Sequence, residues 1–401
     1  MFWILGRLHK RSLFMNNRGQ RILLLTTQGV LSFGGYYLRV KKEIYLLKKL
    51  GFNSIDLLVF TKGKESGCQS KKEILNELGT DGIYFSKVTH ILYIFRFLVN
   101  YEILHAENLI PGFFAWFATR IRAKRPRLIF DYHGVTPEEN YFIYDNRAQY
   151  WLYKVLEKLV LKYSDAVIVV SDTFKDYLVS KHGVSGDKLF VIRNFIECSI
   201  AVQPYQEKGA LRERLKLPKD KIVLVYSGSF KKWQEEWSLV EIAKFVKKNQ
   251  DQFFLIILSF DSQLSFKYRY ESESWIRIVS VKRECVFDFL KAANIGILVR
   301  KNTLINRVAD PSKLSEYLVS GLHVFCSGIG DFEKWTKKRN VGVFFKLKNQ
   351  LLPLDMLKNL GFRAKHIEYN TDSIELASEQ YSESVASESL VNCYNFVVRL
   401  N

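Results

Sequence analysis

The sequence lacks three features that would place it in other classes of protein. No apolar run reaches the roughly 18 to 20 residues of a membrane-spanning helix, because the best candidate, Ile91 to Val99, is short and contains Arg96. No C-x-x-C spacing indicates a zinc or redox site, and no small-residue cleavage site follows MFWILGRLHKR, so we expect no secretory signal. Five scattered cysteines predict reduced thiols in the cytosol. They are Cys68, Cys198, Cys285, Cys326 and Cys393.

Apolar residues and positive charge are what the sequence has in abundance. Its 401 residues are 48% hydrophobic and 14% aromatic, which excludes disorder, collagen and small disulfide scaffolds. At about 150 residues per domain, the length predicts two or three domains. Lysine and arginine number 60 against 41 acidic residues, a net charge of +19, of which residues 1–130 hold +13. This surplus predicts an anionic partner and leaves nucleic acid, a membrane surface and a phosphorylated substrate open.

Short runs of branched and aromatic residues recur between helical patterns, which is typical of parallel strands covered on both faces. The first set covers 22–26, 55–60, 83–85, 101–105, 128–133, 166–171 and 189–194, and the second covers 222–228, 253–259, 276–280, 295–299, 322–326 and 341–345. The polar stretch from Cys198 to Asp220 contains two prolines, as a linker would. We therefore predict two doubly wound α/β domains in tandem, with ligands bound at the carboxyl ends of their strands.

A predicted helix, Tyr36 to Leu50, follows the first strand, and Gly51 ends it. Its apolar stripe consists of Tyr37, Val40, Ile44, Leu47 and Leu50. Its cations are assigned to the other faces, and they are Arg39, Lys41, Lys42, Lys48 and Lys49.

The most informative motif runs from Asp310 to Gly321. Asp310 suits a helix N-cap and Pro311 the first helical position, so the amides of Ser312 and Lys313 would be free to bind an anion. Glu316 lies one turn further on the same face, where a carboxylate can accept hydrogen bonds from a sugar diol. This spacing fits a bound nucleotide, but on spacing alone an ordinary capped helix with a solvated ion pair is favoured.

The motif Pro-Ser-Lys-x-x-Glu-Tyr-Leu-x-Ser-Gly-Leu-x-Val resembles the signature of family 4 glycosyltransferases, which have the GT-B fold. Two further matches follow in the order of that family. Gly34 and Gly35, after the first strand, resemble its N-terminal glycine loop, where backbone approaches the donor phosphates and the acceptor. His133-Gly134, after the strand at 128–133, is similar to its His-Gly, whose histidine lies beside the transferred sugar.

The loop after the strand at 222–228 resembles the family's diphosphate loop, although Ser229 replaces the usual arginine. The resemblance assigns Gly228 and the lysine pair Lys231-Lys232 to the donor diphosphate, with Lys232 preferred for leaving-group stabilisation. Two matches are less specific: Asn194 at the interdomain crossing, and Arg283 in the region that lines the base. The family commonly carries another glutamate where this chain has Val308, and Arg300 or Asn302 is available to replace its contacts.

The resemblance implies a reaction with retention of configuration and without an enzyme nucleophile. Lys313 and Lys232 would stabilise the leaving diphosphate, Ser312 and Glu316 would bind the nucleotide, and His133 would orient the sugar. The chain contains no Asp-x-Asp motif, so we expect no metal and no cofactor beyond a nucleoside-diphosphate sugar as co-substrate. Residues 1–200 would bind a saccharide or lipid-linked saccharide acceptor, and residues 201–375 would bind the nucleotide sugar. Residues 376–401 would form one C-terminal helix that packs back on the first domain.

A segment of aromatic and basic residues in the first domain is relevant to whether the protein attaches to a membrane. Phe113 to Phe117 runs into a cationic stretch ending at Arg127, which fits a helix resting on an anionic membrane or one packed in the core. We predict a cytoplasmic enzyme of cell-surface polysaccharide synthesis, peripheral on the inner face of the membrane. Two alternatives are a nucleotide-sugar epimerase or hydrolase on the same fold, and a non-enzymatic basic protein that binds membranes or nucleic acid. Nucleic acid is the partner least expected, because it leaves the cleft motifs without a role.

Overall fold

The structure is a computed structural model. It describes residues 20–27, 35–61, 76–87, 89–120, 125–196, 207–229, 236–259, 270, 273–347 and 351–400. Gly34, Lys231 and Lys232 lie outside these residues.

Two parallel sheets form the framework of the described chain. The first has seven strands in the order β3-β2-β1-β4-β5-β6-β7, and the second has six in the order β10-β9-β8-β11-β12-β13. The strands of the first sheet are β1 Arg21–Thr27, β2 Ser54–Thr61, β3 Gly82–Lys87, β4 Ile103–Glu107, β5 Arg127–Tyr132, β6 Ala166–Val169 and β7 Leu189–Val191. Those of the second are β8 Ile222–Ser227, β9 Phe253–Leu258, β10 Ile276–Val279, β11 Ile295–Leu298, β12 His323–Ser327 and β13 Gly342–Phe345.

Helices connect the strands and cover the sheets. Those preceding the second sheet's first strand are α1 Gly35–Lys49, α2 Ile91–Leu98, α3 Leu109–Ala118, α4 Thr136–Tyr144, α5 Arg147–Tyr163, α6 Asp172–His182 and α7 Lys208–Arg214. The others are α8 Glu236–Lys248, α9 Arg283–Ala292, α10 Leu304–Val308, α11 Ser312–Val319, α12 Gly330–Trp335, α13 Leu354–Ala364, α14 Thr371–Tyr381 and α15 Glu383–Arg399.

The predicted fold class is confirmed, and every predicted strand overlaps an observed one. The strands are legible in the sequence because a parallel sheet covered on both faces needs nearly continuous apolar runs. All six residues of β8 and of β9 are buried, for example. In both sheets the strand order reverses beside the first strand, between β1 and β4 and between β8 and β11, which opens a crevice at the carboxyl ends.

Helix α1 departs from the predicted placement of its cations. The apolar stripe packs into the core as expected, but Arg39 is only 6% exposed and points into a buried cluster of charged residues. The helical pattern assigned Arg39 to a solvated face because periodicity cannot show that a neighbouring strand offers a carboxylate there.

The aromatic segment on α3 packs mainly inside the first domain. Phe114 and Ala115 are buried, and Phe117 packs against Phe95 of α2. Of the cations that follow, Arg125 and Arg127 form ion pairs with Asp165. The core-packed interpretation of this segment therefore fits the structure. Across the described ranges, no helix has the length and apolar character needed to cross a membrane.

The C-terminal segment consists of two helices where the sequence suggested one. Helix α14 contributes Leu376 and Tyr381 to a core of the second sheet, whereas α15 contributes Leu390 and Tyr394 to a core of the first. The chain therefore crosses between the two sheets at Ser382, which caps α15 by accepting from the Val385 amide.

We predict that Leu390→Ala lowers the free energy of unfolding by about 2–5 kcal/mol, because it leaves a cavity where α15 packs on the first sheet. Thermal unfolding followed by circular dichroism measures the change. Glu388→Ala, on the exposed face of the same helix, is the control and should leave the transition nearly unchanged. Equal effects of the two variants would contradict the observed packing of α15.

Candidate functional site

Lys313 on α11 lies across the carboxyl end of β8. Its Nζ donates to the Tyr226 hydroxyl at 3.1 Å and sits 4.4 Å from the centre of the Tyr226 ring. A Cβ on Gly228 would lie 2.1 Å from the Lys313 Cε, and Gly228 has φ +127°. Only glycine adopts this conformation readily while leaving room for the lysine stem. The structure thus brings together two of the predicted site residues.

The start of α11 differs from the prediction. Its N-cap is Pro311 in an extended conformation, and Asp310 lies outside the helix. The Asp310 carboxylate is used elsewhere, because it accepts hydrogen bonds from the Asn194 backbone amide at 2.8 Å and from the Tyr381 hydroxyl at 2.8 Å. The first helical amides, including that of Ser312, therefore have no side-chain cap at this end and retain the capacity to bind an anion.

Glu316 lies on α11 among positive charges. Burial raises the pKa of its carboxyl above the ordinary value, and three cations nearby act in the opposite direction. These cations are Arg283 at the start of α9, Lys313, and Lys42 of α1. Lys42 comes from the first domain, where it also donates to the Phe195 carbonyl. Glu316 is therefore placed where both sheets contribute charge.

The residues considered as replacements for the missing glutamate differ in their surroundings. Arg300 follows β11 and is 9% exposed. Burial lowers the pKa of its guanidinium, which lies in the electrostatic environment of Tyr226 and Tyr317. Asn302 is exposed, and Val308 is fully buried in an apolar core. Arg300 thus shares Tyr226 as a neighbour with Lys313.

A second cluster of charged side chains occupies the switch point of the first sheet. Arg39 Nη2 lies 2.8 Å from the Asp131 carboxylate and 3.0 Å from that of Glu43. His133 Nε2 lies 2.8 Å from Glu107 Oε2 and 3.2 Å from Asp131 Oδ2. The cluster is assembled by α1 and by the carboxyl ends of β4 and β5, so it occupies the crevice where a doubly wound domain binds ligands.

The proton distribution in this cluster follows from its charges. Burial lowers the pKa of His133, but Asp131 and Glu107 outweigh it and raise the pKa to about 9. Burial also raises the pKa of Asp131, yet Arg39 and His133 hold it well below its ordinary range. Burial raises the pKa of Glu43, and the adjacent carboxylates raise it further. A pKa near 9 makes the imidazolium the major form at neutral pH, and its Nε2 lies 2.8 Å from Glu107 Oε2 as an ion pair. Arg39 Nε points its N–H at the same nitrogen from 2.9 Å, a hydrogen bond that the neutral form of the ring accepts.

A metal ion is the alternative occupant to test here. One ligand atom each from Glu43, His105, Glu107 and Asp131 lies within 4.8 Å of the others, and oxygen with imidazole ligands suits several divalent cations. However, the guanidinium of Arg39 already sits on two of the carboxylates and His133 on two. The three carboxylates are thus paired with protein cations, whereas His105 Nε2 and both Glu107 oxygens make no hydrogen bond among the described residues.

The structure brings several of the predicted site residues together and adds others that the sequence analysis did not assign to a site. Lys313, Gly228, Ser312, Glu316 and Arg283 gather at the carboxyl end of the second sheet. His133 lies at the first sheet's switch point, and Gly35 begins α1 there. The residues overlooked are Arg39, Lys42, Glu43, His105, Glu107 and Asp131. A signal for two of them existed: Glu107 and Asp131 are acidic residues at the carboxyl ends of adjacent buried strands.

Comparisons with known proteins agree with this fold. Residues 77–200 match the family model described as Glycosyltransferase Family 4. No curated protein sequence matches the chain. Sucrose-phosphate synthase from Thermosynechococcus elongatus is 15% identical with a TM-score of 0.68, and the match covers 96% of this chain and 100% of that one. A glycosyltransferase from Rickettsia africae has an identity of 15%, a TM-score of 0.68, and coverage of 96% and 100%.

HepE from Anabaena, solved in complex with UDP, is 12% identical with a TM-score of 0.67, and the match covers 95% of this chain and 99% of that one. At these identities the structures show the shared fold, and the predicted GT-B architecture is confirmed. The family model confirms the predicted family resemblance over residues 77–200.

The contact between Glu107 and His133 predicts how the pKa of His133 changes when the Glu107 charge is removed. Glu107→Gln removes a negative charge 2.8 Å from the ring, so the pKa of His133 should fall by about 1 or more. Histidine proton NMR measures the titration, with the His133 signal assigned from its loss in His133→Asn. Glu388→Gln, on an exposed face of α15, should leave it unchanged. An unaltered His133 titration in Glu107→Gln would exclude this ion pair.

Proposed function

We propose that this chain, which has the GT-B fold, is a family 4 glycosyltransferase and that it moves a sugar from a nucleoside diphosphate to an acceptor hydroxyl with retention of configuration. The observation that carries the proposal is the placement of Lys313 across Gly228 at the switch point of the second sheet. A cation and the start of a helix without a side-chain cap meet there on a close-approach glycine, which is an arrangement suited to a diphosphate.

The proposed donor site uses α11 and the loops around it. The diphosphate would lie between Lys313 and the amides of the first turn of α11, where negative charge is favoured as the leaving group departs. Glu316 would accept from the ribose hydroxyls, and Arg283 would lie beside the base. Lys231 and Lys232, in the loop after Gly228, are proposed as further diphosphate ligands on the family resemblance alone.

The first domain would supply the acceptor side of the reaction. His133, held as an imidazolium by Glu107 and Asp131, would orient the donor sugar by donating to one of its hydroxyls. The departing phosphate would take the acceptor's proton, so that the protein supplies position and charge but no nucleophile. Closure of the two domains would exclude water, which is the competing acceptor.

The proposed donor nucleotide and the proposed acceptor are supported by different observations. HepE, which shares this fold, was solved with UDP and with UDP-glucose, and this supports a uridine nucleotide as the first donor to test. The basic first third of the chain supports a lipid-linked saccharide at the inner face of the membrane as the acceptor. The product would then be a cell-surface polysaccharide precursor.

We predict that Lys313→Ala weakens UDP binding at least about tenfold, because a charge-assisted contact to the diphosphate is lost. Glu316→Gln should weaken it by a similar factor through the ribose. Isothermal titration calorimetry measures both. The control is Lys337→Ala, an exposed lysine of the second domain. Unchanged UDP affinity in both test variants would contradict the donor-site assignment. If the wild type instead epimerises a sugar nucleotide in the absence of an acceptor, the proposed function is epimerisation and not transfer.

We expect EDTA to leave transfer unchanged, because the protein's own cations neutralise both the leaving diphosphate and the buried carboxylates around Arg39. The assay measures release of UDP from a UDP-sugar in the presence of acceptor. It is run without EDTA, with EDTA, and with EDTA followed by added Mg²⁺ or Mn²⁺. A loss of activity restored by one of these ions would contradict the metal-independent mechanism.

A further inference from the structure

Helices α4 and α5 form a hairpin whose outer surface is apolar. Asp145, with φ 50°, ends α4, and α5 begins two residues later. Trp151 is 65% exposed, Leu152 56% and Val155 57%. The end of α4 adds Phe142, Ile143 and Tyr144. Single exposed apolar residues are ordinary, but six on one hairpin mark an interaction surface.

The same helix continues from apolar to basic residues. On α5, Trp151, Leu152 and Val155 are followed by exposed Lys158 and Lys162 at helical spacing. The opposite face of α5 packs into the first domain through Val160 and Leu161. An exposed stripe that is apolar at one end and cationic at the other matches the chemistry of a bilayer surface with anionic headgroups.

Charge along α5 favours an anionic surface as the occupant of this stripe. Lys158 and Lys162 are both exposed and follow the apolar residues along the helix, so negatively charged lipid headgroups would be attracted to this end of it. Glu157, the acidic residue within this part of α5, is fully buried and engaged by Lys154. At the other end of the stripe, the exposed Asp145 is accompanied by the exposed Arg147.

We propose that the α4–α5 hairpin docks the protein on an anionic lipid bilayer, with Trp151, Leu152 and Val155 inserted among the lipids and Lys158 and Lys162 on the headgroups. Lipid binding by the hairpin does not depend on the proposed function. Only its purpose, which is to reach a lipid-linked acceptor, rests on that function. The proposed membrane contact therefore differs from the one considered in the sequence analysis, which was α3. The aromatic residues of α3 are largely packed inside the domain.

The hairpin directly follows the segment that carries His133. Helix α4 begins three residues after His133, and a groove of about 750 Å³ separates the hairpin from α10 of the second domain. Its apolar lining includes Phe142, Trp151, Leu304 and Ile305. A bilayer in contact with the hairpin would thus lie against the domain that carries His133 and beside the groove shared with α10.

The apolar half of the surface is tested with Trp151→Ser/Leu152→Ser/Val155→Ser. We expect this variant to bind vesicles of phosphatidylglycerol and phosphatidylcholine at least about tenfold more weakly than the wild type, by sedimentation. Leu351→Ser/Met356→Ser, at exposed apolar positions of the second domain, should bind like the wild type. Equal binding by the triple variant and the wild type, or no vesicle binding by the wild type, overturns the proposal.

The basic half is tested with Lys158→Ala/Lys162→Ala against the exposed pair Lys337→Ala/Lys338→Ala. Only the first should reduce binding to anionic vesicles, by about tenfold, and pure phosphatidylcholine vesicles should bind all variants weakly. Light scattering tests the other occupant: a concentration-dependent dimer that the triple variant abolishes would make the hairpin a self-association surface and overturn lipid docking.

UDP affinity separates this proposal from the proposed function. The hairpin variants should bind UDP like the wild type, which also shows that they are folded. A wild type that binds vesicles through the hairpin but binds no UDP would leave docking supported and the donor site rejected.

Discussion

The carboxylate of Asp310 connects the two halves of this molecule, and the geometry of the cleft depends on it. It accepts from the Asn194 amide, on the segment leaving the first sheet, and from Tyr381 at the end of α14. Nearby, Arg193 forms an ion pair with Asp331 of α12 at 2.6 Å. Because Asp310 immediately precedes the start of α11, these buried contacts hold the Lys313 side of the cleft against the domain that carries His133.

Positive charge is divided between two tasks in this arrangement. At the first sheet, Arg39 and His133 are neutralised by buried carboxylates, so their charges are positioned and stable. At the second sheet, Lys313 contacts a tyrosine hydroxyl and its ring and lies in the field of the Glu316 carboxylate, at the site proposed for the diphosphate. Part of the excess charge of the chain is thus assigned to the proposed donor cleft and part to the proposed membrane hairpin.

The sequence predicted one of the two clusters well and the other hardly at all. Lys313, Glu316 and Gly228 stand in a contiguous motif and at a strand end, and both are patterns that local spacing reveals. Arg39 lies on α1 and Glu107 at the end of β4, with β2, β3 and α2 between them in the sequence. Each residue taken alone resembles an ordinary surface charge. Likewise, α3 and α5 both carry aromatic residues beside cations, and composition could not show which of them the core covers.

By itself, the sequence determined the strands, the tandem α/β fold and the motif on α11, because continuous apolar runs and helix-start residues act over short stretches of chain. Only the tertiary structure decided the buried ion pairs of His133, the use of Asp310 as an interdomain acceptor and the exposure of Trp151. Each of these depends on which distant segments meet, and the free energy of a charge or an apolar side chain is set by those neighbours.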